Sequence, residues 1–379
     1  MNLNQYIDVF GNTTFLERPF NDVDALILAQ LSYINFELVA PKIDELNRKP
    51  FLLKNINARE IKKLADGELT SSQNEILLIK LKTSLRFRQI GVCYIKIDSS
   101  LETDKQFYGM TLVLPTGEHY ISYRGTDLTL VGWKEDCNLA FLDTIPAQIC
   151  AIKYLDEVTK LFDGPFYLGG HSKGGNLSFY AALHQSDEEI ARCITAYSFD
   201  GPGFYEKDYY ENETYKKIED KLVKIVPKDS LIGIMLNHTK HARVVDANSL
   251  SVMQHNPYNW KIDPKTGDFK YLKKRANQSY INERALSTWL NSMTKEEISM
   301  TINCLFELLG GTNKNLYHLL KHAPQTINNF NKVSQNYSKE QKQKLVSILK
   351  RLFYYHKKAR AYVKAQAKQT KKDKGAQYA

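Results

Sequence analysis

The residues in this chain best suited to covalent chemistry lie in Gly170-His171-Ser172-Lys173-Gly174-Gly175-Asn176, preceded by the apolar run Pro165-Phe166-Tyr167-Leu168 and followed by Leu177 to Leu183. Strand, sharp turn and helix in that order form a nucleophile elbow, with Ser172 at its tip. The turn puts the serine in strained backbone geometry, so the positions two before and two after it must lack bulk. Gly170 and Gly174 supply that. The helix start behind Ser172 aims backbone N–H groups at any oxyanion formed there, with the Lys173 N–H as the first donor.

A serine hydroxyl needs a histidine to take its proton and an acid to orient that histidine. In enzymes built on such an elbow, both follow the serine along the chain. Three acids qualify. Asp229, in Val226-Pro227-Lys228-Asp229-Ser230, follows a predicted strand and is the best placed. Asp246, after the strand ending at Val245, is either a strand-end cap or the acid. Asp200 sits in Asp200-Gly201-Pro202-Gly203, which is turn chemistry and reads as a turn residue. Of the histidines, His255 in Gln254-His255-Asn256-Pro257 is favoured over His238 and His241, which occupy a polar loop. His318, His322 and His356 read as surface residues of a helical region, and His171 as structural. A second oxyanion donor should come from an earlier strand end, where Thr126 in Arg124-Gly125-Thr126-Asp127 is suitable.

The elements that must position these groups follow from periodicity. Val23 to Leu31 is apolar at helical spacing. Strands are expected at Ile90–Ile97, Phe107–Leu114 and Tyr120–Arg124, the last two joined through Pro115-Thr116-Gly117 as a hairpin. A helix over Pro146–Phe162 precedes the elbow strand. Further strands fall at Cys193–Phe199, Leu222–Val226 and Ala242–Val245, with a helix-like run from Leu231 to Leu236. Strands alternating with helices predict an α/β fold with a mostly parallel sheet covered on both faces. Later, Thr294-Lys295-Glu296-Glu297 is a capping box before Ile298, Ile302, Leu305 and Leu309, ending at Gly310-Gly311. Ser338 with Gln341 opens another helix. The predicted organisation is an α/β domain over residues 1–281, a helical extension over 282–356, and a basic, disordered tail over 357–379.

Bulk properties narrow the function. With 43% hydrophobic and 25% charged residues in 379, the chain can bury an ordinary globular core. No apolar run approaches the roughly 18 residues of a membrane span, and Met1 to Asp8 lacks signal-peptide character, so a cytoplasmic location is expected. Five widely spaced cysteines (Cys93, Cys137, Cys150, Cys193, Cys304) read as small hydrophobes, neither a disulfide frame nor a zinc site. The net charge is +10, but eight basic residues against one Asp between Lys357 and Ala379 account for seven of those charges. The body is thus nearly balanced. Neither cofactor nor metal nor nucleic acid is expected, and membrane contact is limited to weak attraction of the tail.

Taken together, Ser122-Tyr123-Arg124-Gly125-Thr126, Gly132-Trp133-Lys134-Glu135-Asp136 and the Gly-His-Ser-x-Gly elbow resemble the corresponding blocks of class 3 (fungal-type) lipases and their uncharacterised bacterial relatives. Val226-Pro227-Lys228-Asp229-Ser230 and Gln254-His255-Asn256-Pro257 extend the resemblance. It implies an α/β-hydrolase fold and a serine hydrolase acting on carboxylic esters of small-molecule or lipid-like type. Ser172, Asp229 and His255 would form the triad, with Thr126 and Lys173 in the oxyanion hole. A thioesterase or peptidase on the same fold, or an idle hydrolase fold serving as a binding protein, are the alternatives.

Overall fold

A computed structural model describes residues 1–376 except 40–48, 68–69, 101, 127–134, 136–137, 140–141, 207–208, 238, 240 and 309–336. Asp127, Gly132 to Lys134, Asp136, Cys137, His238, Leu309, Gly310-Gly311, His318 and His322 therefore lie outside the described residues, as do the side chains of Ile302, Cys304 and Leu305.

Among the described residues, nine strands form one sheet in chain order: β1 (Phe51–Leu52), β2 (Gly91–Ser100), β3 (Lys105–Val113), β4 (His119–Tyr123), β5 (Phe166–His171), β6 (Cys193–Phe199), β7 (Leu222–Pro227), β8 (Arg243–Val245) and β9 (Tyr271–Leu272). Neighbours from β4 to β8 run parallel. The pairs β1–β2, β2–β3, β3–β4 and β8–β9 are antiparallel, so the sheet is mixed where a mostly parallel one was expected. For β3–β4 the cause is connection length: the Leu114–Glu118 turn, with Gly117 at φ +102, is too short for the crossover a parallel pair requires.

Alternation along the strands feeds two cores. Tyr120, Tyr197, Phe199 and Ile225 face one side, against Leu26, Ile27 and Leu28 of the helix Asp22–Leu31. Ile121, Leu168 and Ala196 face the other, against Leu155 of the helix Pro146–Leu161 and Leu177 of the helix Lys173–Ala182. Asn21 caps the first of these helices. Its Asp24 is fully buried against the Arg86 guanidinium, which ties the helix to the chain entering β2. The helices flanking β5 therefore clamp the elbow strand from both faces.

The run Leu231 to Leu236 is a series of turns rather than a helix, because its backbone serves neighbouring side chains: the Gly233 N–H donates to Asp200 Oδ1 at 3.1 Å. Both capping boxes form, at Thr294/Glu297 and at Ser338/Gln341. The expected domain boundaries fall inside helices. Residue 281 lies within Asn277–Asn291, and residue 357 within Lys339–Ala376. Residues 357–376, expected as part of a disordered tail, are helical. They carry Ala, Lys and Gln, good helix formers, with no proline or glycine until Gly375. Those two helices pack through Ile281, Ala285, Ala359 and Val363, and Trp289 Nε1 donates to the Ile348 carbonyl at 2.8 Å.

Candidate active site

Ser172 has φ +59 and ψ −131, the positive-φ conformation required of a residue held at a strand-to-helix apex. Glycine is obligatory beside it. A Cβ on Gly174 would lie 2.1 Å from the Tyr123 carbonyl oxygen, and one on Gly170 2.3 Å from the Gly174 backbone. The elbow thus rests directly on the end of β4. The Ser172 N–H donates to the Phe199 carbonyl at 3.0 Å, fastening it to β6 on the other side.

His255 Nε2 lies 3.0 Å from Ser172 Oγ, and its Nδ1 lies 2.7 Å from Asp200 Oδ2. The structure thus brings His255 to Ser172 and places Asp200, not Asp229, behind the imidazole. Register explains the correction. β6 pairs in parallel with β5, and Phe199 stands opposite His171. The residue after Phe199 consequently emerges next to the residue after His171. Asp200 has φ +48, so the turn anticipated there exists and also directs the carboxylate at His255. Asp229 lies one strand further away, and its N–H donates to Gln254 Oε1 at 3.0 Å. Asp246 pairs with Lys228 at 2.6 Å and Lys261 at 2.8 Å. Burial pushes its carboxyl up, but the two lysines outweigh burial and hold it at about 2. It is a salt-bridge residue.

Asp200 is fully buried. Burial is the largest influence on its carboxyl and raises it, yet the bonds from His255 and Ser230 together bring it below the usual value. Its second oxygen accepts from Ser230 Oγ at 2.5 Å and the Gly233 N–H at 3.1 Å. The carboxylate is therefore fully engaged and fixed in orientation. Lys224, buried on β7, has its ammonium pushed down to about 7 by burial, opposed in part by the Asp200 charge.

His171 also belongs to this network. Its Nε2 is 2.8 Å from the His255 carbonyl oxygen, and the two rings lie 4.5 Å apart. The Tyr33 hydroxyl reaches the His171 carbonyl at 3.2 Å and accepts the Gly125 N–H at 3.1 Å. A Cβ on Gly125 would meet Ser172 Cβ at 3.1 Å, so the loop carrying Thr126 passes directly over Ser172. Arg124 anchors that loop by donating to the Ser32 and Ile34 carbonyls, with its guanidinium 3.7 Å from the Tyr108 ring centre.

Lys173 opens the elbow helix, so its N–H has no carbonyl one turn earlier to bond. Its side chain is buried, with Nζ 2.7 Å from Glu135 Oε2 and 2.6 Å from Gln106 Oε1. Glu135 also accepts from the Gln106 and Ala147 N–H groups. Asn176 bridges Gln148 and the Gly203 carbonyl, at 2.9 and 2.8 Å, holding the loop after Asp200 to the elbow helix. His241 is exposed, as expected. His356 is only half-buried and lies 3.5 Å from Gln278 Nε2. The roles of Tyr33, Gln106 and the Lys173 side chain were invisible in the sequence, since each depends on contacts between distant segments. Among the described residues, no cluster of His, Cys, Asp and Glu could hold a metal ion.

No curated protein matches the chain in sequence. Among solved structures, one described as "Rhizomucor miehei lipase propeptide complex, native" aligns at 10% identity with a TM-score of 0.38, over 68% of this chain and 73% of that one. That likeness is too slight to assign a fold. The sequence profile of the Mbeg1-like family matches residues 81–307, more than half of the chain, a span that includes Ser172, Asp200 and His255. The chain belongs to the Mbeg1-like family.

Proposed function

We propose that this protein is a serine hydrolase of α/β-hydrolase fold that cleaves carboxylic esters. The observation carrying the reading is the continuous relay from Ser172 Oγ to His255 Nε2 at 3.0 Å and from His255 Nδ1 to Asp200 Oδ2 at 2.7 Å, built on a serine at φ +59. The resemblance of the Arg124-Gly125-Thr126 and elbow blocks to lipases supports the same class.

In this reading Ser172 Oγ attacks the ester carbonyl carbon while His255 Nε2 takes its proton. Asp200 holds the Nδ1–H tautomer and stabilises the imidazolium. The tetrahedral oxyanion is bound by the Lys173 N–H and by Thr126 on the loop over Ser172, where losing one donor costs about 3 kcal/mol of transition-state stabilisation. His255 returns the proton to the departing alkoxide, leaving the acyl group on Ser172. Water, deprotonated by His255, then attacks the acyl-enzyme and releases the carboxylic acid.

A fluorophosphonate probe should label Ser172 in folded protein, with the adduct located by peptide mass spectrometry. The Ser172→Ala variant should lose both the adduct and p-nitrophenyl ester hydrolysis. Absence of an adduct on folded wild-type protein, or parental hydrolysis by the variant, overturns the reading.

A further inference from the structure

The helix Lys339–Ala376 has one face used by the fold and another that is not. Ile348 and Ala359 are buried on the inner face, against the helix Asn277–Asn291. The opposite face begins with Val346, Leu349, Phe353 and Tyr354, which are 50%, 48%, 75% and 52% exposed. Lys342 and Lys350 stand among them, and at the same three- and four-residue spacing the face continues as Lys357, Arg360 and Lys364, all exposed.

Between Glu340 and Asp373 the sequence has eleven lysines and arginines and not one Asp or Glu. Arg351 pairs with Glu297 at 2.9 Å. Among the described residues, no carboxylate lies within ion-pair distance of Lys342, Lys350, Lys357, Arg360 or Lys364. Uncompensated positive charge selects a polyanion. The exposed Val346 and Leu349 select among polyanions, because aliphatic side chains neither pair with nucleic-acid phosphates nor stack on bases, and the exposed Phe353 adds to the same apolar surface. An anionic bilayer satisfies both: apolar groups enter the acyl boundary while lysines reach the phosphates with their methylene stems laid along it.

We propose that the outward face of the helix Lys339–Ala376 docks the protein on anionic phospholipid membranes, lying along the interface. No described helix is long and apolar enough to cross a membrane, so attachment by this helix is to the surface. The proposal is independent of the esterase reading, since Ser172→Ala should bind vesicles as wild type does.

The test is co-sedimentation of the full chain with vesicles of phosphatidylcholine alone or with about 30 mol% phosphatidylserine. Binding is expected only to the anionic vesicles and should fall at least tenfold between about 0.1 and about 0.5 M salt. Phe353→Ala should weaken it by about tenfold. Lys350→Gln, Lys357→Gln and Arg360→Gln combined should weaken it on the order of a hundredfold, at about fivefold each. All four side chains are exposed, and circular dichroism should show unchanged helix content. Equal binding to neutral vesicles, no binding to anionic ones, or wild-type binding by the triple variant overturns the proposal. So does binding to a single-stranded oligonucleotide tighter than to anionic vesicles.

Discussion

His171 and His255 are joined ring to backbone: Nε2 of the elbow histidine donates to the His255 carbonyl 2.8 Å away, while the two imidazoles lie 4.5 Å apart at 35°. A carbonyl only accepts, so His171 carries its proton on Nε2. Burial and the neighbouring His255 push its ring down to about 3, which keeps it neutral. A neutral His171 therefore sets where the His255 backbone sits without adding a cation beside the relay.

This predicts a pH-dependent stability. The unfolded chain takes up a proton on His171 below about 6.5, whereas the folded chain resists until about 3. Stability from this group is therefore complete above the unfolded value and is lost as pH falls, by ~1.4 kcal/mol per unit, down to about 3. Urea denaturation between these pH values should give a steeper slope in wild type than in His171→Gln, by about that amount. Identical slopes in both proteins would falsify the assignment.

The acid assignment separates three variants. Asp200→Asn should lower kcat by about 10⁴ through loss of the Nδ1–H tautomer and of imidazolium stabilisation. Asp229→Asn and Asp246→Asn should stay within about tenfold of wild type, since the His255 Nδ1 is held by Asp200 and Asp246 is paired with Lys228 and Lys261. Initial rates on a p-nitrophenyl ester, with folding checked by circular dichroism, distinguish these outcomes.

The buried Lys173–Glu135 pair should behave asymmetrically. Lys173→Met leaves a carboxylate without its cation in a site with no exposed side-chain surface, and should cost about 3–5 kcal/mol. Adding Glu135→Gln removes that stranded charge while keeping an acceptor for the Ala147 N–H, and should restore part of the loss. Chemical denaturation of the two variants measures the difference; a double variant less stable than Lys173→Met would contradict the account.

The elbow's steric demand is also measurable. Gly174→Ala puts a methyl 2.1 Å from the Tyr123 carbonyl oxygen, a backbone atom with β3 and β5 on either side. A loss above about 3 kcal/mol is expected, or failure to accumulate as soluble protein. Wild-type melting by the variant would mean that the elbow does not seat on β4 as described.

What the sequence determined by itself was local. Glycines two residues either side of Ser172, a strand before it and a helix after it specify the elbow, because the bend's sterics act within a few residues. Alternation and helical spacing located Cys193–Phe199 and the helices behind both capping boxes for the same reason. His255 was legible as a histidine late enough in the chain. The acid was not. Asp200, Asp229 and Asp246 all follow strands, and Asp-Gly-Pro-Gly reads as a turn whether or not its carboxylate has a further task. Only the pairing of Phe199 with His171 across β5 and β6 puts Asp200 beside the nucleophile. Tyr33 under the Gly125 loop and Lys173 against Glu135 were likewise decided by tertiary structure, since each joins segments whose spacing along the chain carries no signal of their contact.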